Sequence, residues 1–168
     1  MLYAITITQY RKMLDHLTHF LDKAHAYAES KKFDVDVLLN SRLAPDQFNL
    51  IRQIQIACDT AKFGAARVCG KAAPSHPDTE KNLDELKARI ASVQAYLDSF
   101  TAADFVGAEE RQVTTPRWEG KYLTGLEFAI QHSIPNLYFH VTTAYSILRH
   151  NGVDLGKKDF LGALPLKG

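Results

Sequence analysis

An excess of charge of one sign is nearly absent: Lys and Arg number 20 against 19 Asp and Glu, for a net charge of +1. The basic residues are spread along the chain, so the clustered positive charge that nucleic-acid binding requires is missing. Long hydrophobic runs are missing too. The longest uninterrupted apolar stretches are a few residues, far short of the roughly 20 that span a bilayer, which argues against a membrane partner. Met1-Leu2-Tyr3-Ala4 leads into polar residues without a basic start, apolar middle and small-residue cleavage site, so no secretory signal is read. Cysteine is scarce, with only Cys58 and Cys69. If both lie on one helix, eleven steps of about 1.5 Å separate them by roughly 16 Å, beyond the reach of about 7 Å that a disulfide allows. Two unpaired thiols fit a reducing cytoplasm, each as a small buried hydrophobe. Also absent are a nucleophile-base-orienter set, a glycine-rich phosphate loop and cysteine-histidine metal spacing.

What is present is a chain of 168 residues, 46% hydrophobic, enough for one sizeable core and a single domain over residues 1–168. Its most informative stretch is Thr124 to Gly152. Thr124 and Glu127 have capping-box spacing, in which hydroxyl and carboxylate each satisfy an orphan amide at a helix start. Arg149 and His150 suit the negative end of the helix dipole, and Asn151-Gly152 tolerates the left-handed backbone of a stop. Leu126, Ile130, Ile134, Leu137, Val141, Ala144 and Leu148 recur at helical spacing as one apolar stripe. Pro135 is expected to kink or split this helix. Just beyond it, Asn136 and His140 lie one turn apart on one face.

Three further helices are predicted. The first runs from Thr6 or Thr8 to about Ser30, with Tyr10, Leu14, Leu17, Leu21 and Ala24 inward; His16 and His19 flank that arc as a partly solvated pair. Residues 31–45 form a linker in which Val35, Val37, Leu38 and Leu39 predict a short packed turn. The second helix opens at Asp46 and ends at Cys69, with Gly70 as its stop. Arg52, Gln55, Asp59 and Lys62 make a narrow polar stripe along it, read either as a solvated face with ion pairs or as the lining of an internal pocket. The third is capped by Thr79 and runs to about Phe100, its charged positions toward water. Between it and the last helix, alternation of Val113, Thr115 and Trp118 around Glu119-Gly120 predicts a short β-hairpin, confined to an edge by Pro116. In the tail, Phe160 and Leu161 are expected to fold back while Lys157, Lys158 and Asp159 stay wet. Four long helices with one irregular crossover define an all-α class and a four-helix bundle.

The stretches Pro135-Asn136-Leu137-Tyr138-Phe139-His140, Thr142-Thr143-Ala144-Tyr145, Ile147 to Val153 and Gly156 to Gly162 resemble the C-terminal signature of a bacterial family of unknown function grouped with the DinB/YfiT-like putative metalloenzymes. Gln53 to Lys62 and the helix order agree. The resemblance implies a DinB-like bundle that pairs with a second copy through helix faces. In metal-binding members, one histidine from the second helix and an H-x-x-x-H pair on the last converge on a divalent ion such as zinc or nickel. Here His140 matches the second histidine of the pair, the first falls on Asn136, and the helix-two ligand falls near Gln55, with Asp59 one turn on. Carboxamide oxygens are weak ligands for such ions. His132 lies eight residues, about 12 Å, from His140 along the axis and does not complete the set.

Three functions follow. One is a metal-dependent thiol transferase or isomerase using His140 with Gln55, Asp59 and Asn136. A second, ranked above it, is a metal-free small-ligand-binding or stress-related protein with a degenerate metal site, its pocket lined by Gln55, Asp59, Lys62, Asn136, His140 and Thr143. The third, ranked with the second, is a purely structural dimeric bundle in which His140 is a satisfied interior histidine bonded to Gln55 or Asp59 across the bundle.

Overall fold

The computed structural model describes residues 1–168. Helix α1 spans Leu2–Lys31 and starts a turn earlier than predicted. The Thr6 hydroxyl does not cap it but donates to the Leu2 carbonyl at 2.7 Å from inside the helix, a back-bond open to threonine at mid-helix positions. Lys32, at φ 60°, ends it. The packed turn expected in the linker is α2 (Asp36–Leu39), which buries Leu38 and Leu39. Helix α3 covers Leu50–Cys69 and α4 Leu83–Asp98. The first begins four residues later than Asp46 predicts and the second three residues later than a Thr79 cap predicts, because asparagines win the caps: Asn49 accepts from the Arg52 amide and Asn82 from the Glu85 amide. Gly70, at φ 67°, ends α3 as expected.

The connection from α4 holds two single 3-10 turns and the predicted hairpin, reduced to two residues a strand: β1 (Gln112–Val113) pairs antiparallel with β2 (Leu123–Thr124). Trp118 falls outside the ladder, in the 3-10 turn Pro116–Trp118. Thr124 then caps α5 (Gly125–Phe128), with both bonds of the capping box formed. A π-helical segment, Ala129–Ser133, leads into α6 (Ile134–His150). The split expected at Pro135 thus takes the form of a π turn just before it, which accommodates the missing proline amide.

That turn inserts one extra residue and shifts the inward face by one position. After it, Leu137, Val141, Ala144 and Leu148 are buried as predicted. Before and within it, Phe128, Ala129 and Ser133 point inward, whereas Leu126 and Ile130, which a continuous α-helix would bury, are 40% and 49% exposed. The constant 3.6-residue period therefore misplaces the first half of the stripe.

Pairings between helices fix their directions. On α1 and α6, Gln9 meets Tyr138, Phe20 meets Tyr145 and Tyr27 abuts Gly152, so these two run parallel. Gln53–His140 and Thr60–Asn136 make α3 and α6 antiparallel. Arg11–Asp98 and Asp22–Lys87 make α1 and α4 antiparallel. The four long helices thus form an up-down-down-up bundle in which α3 and α4 are parallel. Joining them, residues 70–82 must travel back along α3, about 30 Å long at 1.5 Å per residue, and this connection covers the outside of the α3–α4 seam.

Two close approaches hold the last segment in place. The Tyr10 hydroxyl and Ser133 Oγ are hydrogen-bonded at 2.7 Å, and Gly64 of α3 packs directly against both. A Cβ at position 64 would overlap Ser133 Oγ and lie 2.7 Å from the Tyr10 hydroxyl. Gly64→Ala is therefore expected to lower stability by about 1–3 kcal/mol through overpacking, although alanine is the better helix former. A urea midpoint equal to or above wild type would contradict this close approach.

The tail forms α7 (Lys157–Leu161) against α1. Phe160 packs edge-on against Tyr145, as expected. Two expectations fail: Leu161 stays exposed, and Asp159 is paired instead of wet. Its carboxylate accepts from His19 Nε2 at 2.7 Å, from the Gly156 amide at 2.7 Å and from Lys23 at 3.2 Å, which hold its pKa down to about 2. Of the two histidines expected as a partly solvated pair, His16 is buried and only His19 is solvated. Cys58 and Cys69 are buried free thiols, pushed up by burial to pKa values of about 12 and 11. No helix is long and apolar enough to cross a membrane.

Candidate functional site

The backbone carbonyl of Phe48, just before α3, accepts from Gln53 Nε2 at 3.0 Å. This fixes the Gln53 amide with Oε1 toward α6, where it lies 2.7 Å from His140 Nδ1. A carboxamide oxygen only accepts, so the proton is on Nδ1 and Nε2 keeps its lone pair. Burial, aided by the Arg52 charge, lowers the His140 pKa to about 4. At neutral pH His140 is a neutral imidazole of defined tautomer whose free nitrogen can accept a hydrogen bond.

The expected partners, Gln55 and Asp59, do not reach it. Gln53 and Gln55 point about 200° apart around α3 at roughly 100° per residue, so only one of them can face α6. Gln53 was legible as a polar residue within the core-facing rhythm Leu50, Gln53, Ala57, where an unpartnered side chain would be costly.

The rest of the polar stripe faces α4 and the 70–82 connection. Lys62 and Arg89 have side chains only 1% exposed. Lys62 Nζ lies 2.8 Å from Asp59 and 3.0 Å from His76 Nδ1; His76 accepts there and donates through Nε2 to Ser92 at 2.9 Å. Arg89 contacts Asp59 at 2.9 Å, Asp78 at 3.0 Å and Glu80 at 3.1 Å. Gln55 accepts from Arg52 at 3.1 Å and donates to Glu80 at 2.9 Å. Burial alone would raise the Asp78 and Glu80 pKa values, but hydrogen bonds from Arg52 to Asp78 and from Arg89 and Gln55 to Glu80, with the arginine charges, bring both below the usual range. Burial and the neighbouring Lys62 and Arg89 charges lower His76. The stripe is neither a solvated face nor, as a whole, a pocket lining. It is an ionic network with buried cations and partly hydrated carboxylates, Asp78 and Arg52 being 37% exposed, and Arg89, predicted to face water, is at its centre.

Of the six predicted pocket residues, Asp59, Asn136 and His140 do line one cavity, of about 510 Å³, between α3 and the α5–π–α6 segment. Asn136 donates to Thr60 Oγ1 at 2.7 Å. Gln55 and Lys62 belong to the network, and Thr143 is turned back onto the Phe139 carbonyl at 2.7 Å. The cavity also receives Arg52 from the predicted polar stripe and three residues that periodicity did not single out, Arg67, Arg117 and His132, with Phe63 and Phe128 among its apolar walls. His132 stacks on Phe128 (centroids 5.1 Å apart, planes at 17°) and meets Trp118 edge-on. The Arg67 guanidinium lies 5.0 Å from the Phe63 ring centre. Arg117 comes from the 3-10 turn of the α4–α5 connection, where no sequence period operates.

A three-histidine metal centre does not fit these residues. His140 is the one imidazole at the three implied positions, Asn136 is committed to Thr60, and Gln55 faces the other side of α3. No group of three or more His, Cys, Asp and Glu side chains is placed to hold a metal ion.

An up-down-down-up bundle with a π-interrupted last helix walling a polar cavity is a DinB-like helical bundle. The chain belongs to the family described as "Domain of unknown function (DUF1993)", whose model matches residues 2–161. It is similar to a crystal structure of a DinB family member protein from Shewanella denitrificans, with 64% identity and a TM-score of 0.97 over 100% of this chain and 96% of that one. No curated protein matches the chain.

Proposed function

We propose that this chain is a metal-free cytoplasmic protein that binds a small molecule in the cavity between α3 and α6, and that it works as a homodimer. The observation that carries the reading is the His140 relay: a core histidine held in one tautomer by Gln53, itself oriented by a backbone carbonyl, on the wall of a cavity of about 510 Å³. A volume of that order suits a small organic ligand. A purely structural role for His140 accounts for the bond to Gln53 but not for the open space beside the ring.

Pairing is supported by Leu126 and Ile130, left exposed on the outer face by the π turn, since exposed apolar side chains grouped on one face are sites of association. Light scattering at micromolar concentration is expected to give twice the chain mass; a monomer throughout would remove the dimer.

The ligand reading is tested by filling the cavity. Thr60→Trp places an indole there. A fragment screen by ligand-observed NMR is expected to yield binders to wild type that Thr60→Trp loses while keeping the wild-type circular dichroism spectrum. A screen without binders, or binders indifferent to the tryptophan, would overturn it. Protein purified without an affinity tag should carry substoichiometric zinc and nickel by elemental analysis; a full equivalent would restore the metal-dependent transferase or isomerase reading.

A further inference from the structure

Resting on that reading of the cavity, the geometry points to a specific ligand class: a small organic oxyanion, a carboxylate or phosphate ester, carrying an apolar or aromatic body.

The cavity contains three arginines and one carboxylate, Asp59. Asp59 is already engaged by Lys62 and Arg89, and Arg52 by Asp78. The guanidinium groups of Arg67, partly buried, and Arg117, exposed at the rim, have no carboxylate partner, and all ten ion pairs of the chain are formed by other cations. Guanidinium groups left uncompensated beside a cavity are matched by planar or tetrahedral oxyanions, which accept two parallel N–H bonds from one fork.

Arg67 and Arg117 share one end of the cavity. Arg67 is in the last turn of α3, near the π segment that Gly64 and Ser133 pin together. Arg117 precedes Trp118, whose ring meets His132 at 5.5 Å. Burial and the Arg67 charge together depress the His132 pKa, in keeping with an excess of positive potential there.

The other end holds a different chemistry. Arg52 lies about 22 Å from Arg67 along α3, at 1.5 Å per residue, and its charge acts on His140. Between them are Ile56, Phe63 and Phe128, which favour an apolar body over a bare ion. The His140 lone pair, fixed by Gln53, accepts a hydroxyl or N–H from a ligand long enough to reach it. A neutral ligand would further desolvate the partly buried Arg67 guanidinium without giving it a counter-charge; inorganic phosphate would leave the aromatic walls unused.

The test titrates wild type, Arg67→Met, Arg117→Met and Thr60→Trp by NMR with four probes: 3-phenylpropanoate, phenyl phosphate, the neutral 3-phenylpropanamide and inorganic phosphate. Expected is binding of at least one aromatic anion, weakened about tenfold or more by either methionine substitution, as loss of a charged hydrogen bond implies. Binding of the amide as tight as that of the acid, unchanged by the arginine substitutions, would overturn the anion and leave the cavity reading standing. Inorganic phosphate binding as tightly as phenyl phosphate would overturn the apolar body. Anion binding that Thr60→Trp leaves intact would place the site elsewhere and overturn both readings, as would no binding by any probe together with an empty fragment screen. The preferred anion, carboxylate or phosphate, identifies the head group.

Discussion

Arg89→Ala is expected to be the most damaging single substitution, lowering the unfolding free energy by about 3–5 kcal/mol, the usual cost of removing one partner from a buried ion cluster. The Arg89 side chain is 1% exposed and serves Asp59, Asp78 and Glu80 at once. Without it Asp59 keeps Lys62 and Asp78 keeps Arg52, but Glu80, the most buried of the three, keeps just the Gln55 amide. The residual hydration of Asp59 and Asp78 places the expectation toward the lower end. Against a total stability of about 5–15 kcal/mol, such a loss is visible in any urea melt. Arg89→Lys should cost a large part of it, because one ammonium cannot fork between carboxylates on α3 and on the 70–82 connection. Arg89→Met combined with Glu80→Gln should recover stability relative to Arg89→Met alone, and additive losses would deny their coupling. A loss below about 1 kcal/mol for Arg89→Ala would mean the network is hydrated and structurally idle.

The second large effect belongs to His140. At pH 7.5, His140→Ala is expected to cost about 2–4 kcal/mol: an orphaned Gln53 oxygen accounts for about 1–3 and the space left by the ring for the remainder. Because both members of the pair are polar, replacing them together by apolar groups, as in Gln53→Leu with His140→Phe, should cost much less than the two single changes summed. The same residue predicts acid sensitivity. The folded pKa of about 4 lies below the ordinary 6.5, so the unfolded chain binds the proton more readily and stability rises with pH across that interval. The contribution is complete above about pH 6.5 and is lost as pH falls toward 4, at up to about 1.4 kcal/mol per unit. His16, His76 and His132 are lowered as well and act in the same direction, so His140 is isolated by difference. His140→Ala should have a shallower dependence of stability on pH than wild type between pH 6.5 and 4. Parallel curves would show that His140 is not held neutral by the fold.

The two residues differ in how visible they were. His140 stood out as a histidine on the inner face of the last helix, placed by capping signals at both ends and by the DinB-like signature around it. Arg89 looked like any charged residue on an amphipathic helix; only the return of residues 70–82 over the α3–α4 seam, bringing Asp78 and Glu80, turns that face inward. Arg67 and Arg117 escaped for the same reason, since their significance is the absence of a partner. An absence of that kind belongs to the whole surrounding shell.

By itself, the sequence determined the helices, their approximate limits and the all-α class. Those rest on interactions within a turn or two: the Thr124–Glu127 capping box, the Gly70 stop and the periodic stripes that must be buried together. It also determined that His140 and Asn136 face the interior. Tertiary structure decided the parallel pairing of α3 with α4, the π turn that re-phases Phe128 and Ser133 inward, the choice of Gln53 over Gln55 beneath His140 and the two arginines left free. Each depends on what lies opposite a side chain after dozens of residues have folded back. The energy of a buried charge or amide is set by that opposing surface, to which local periodicity is blind.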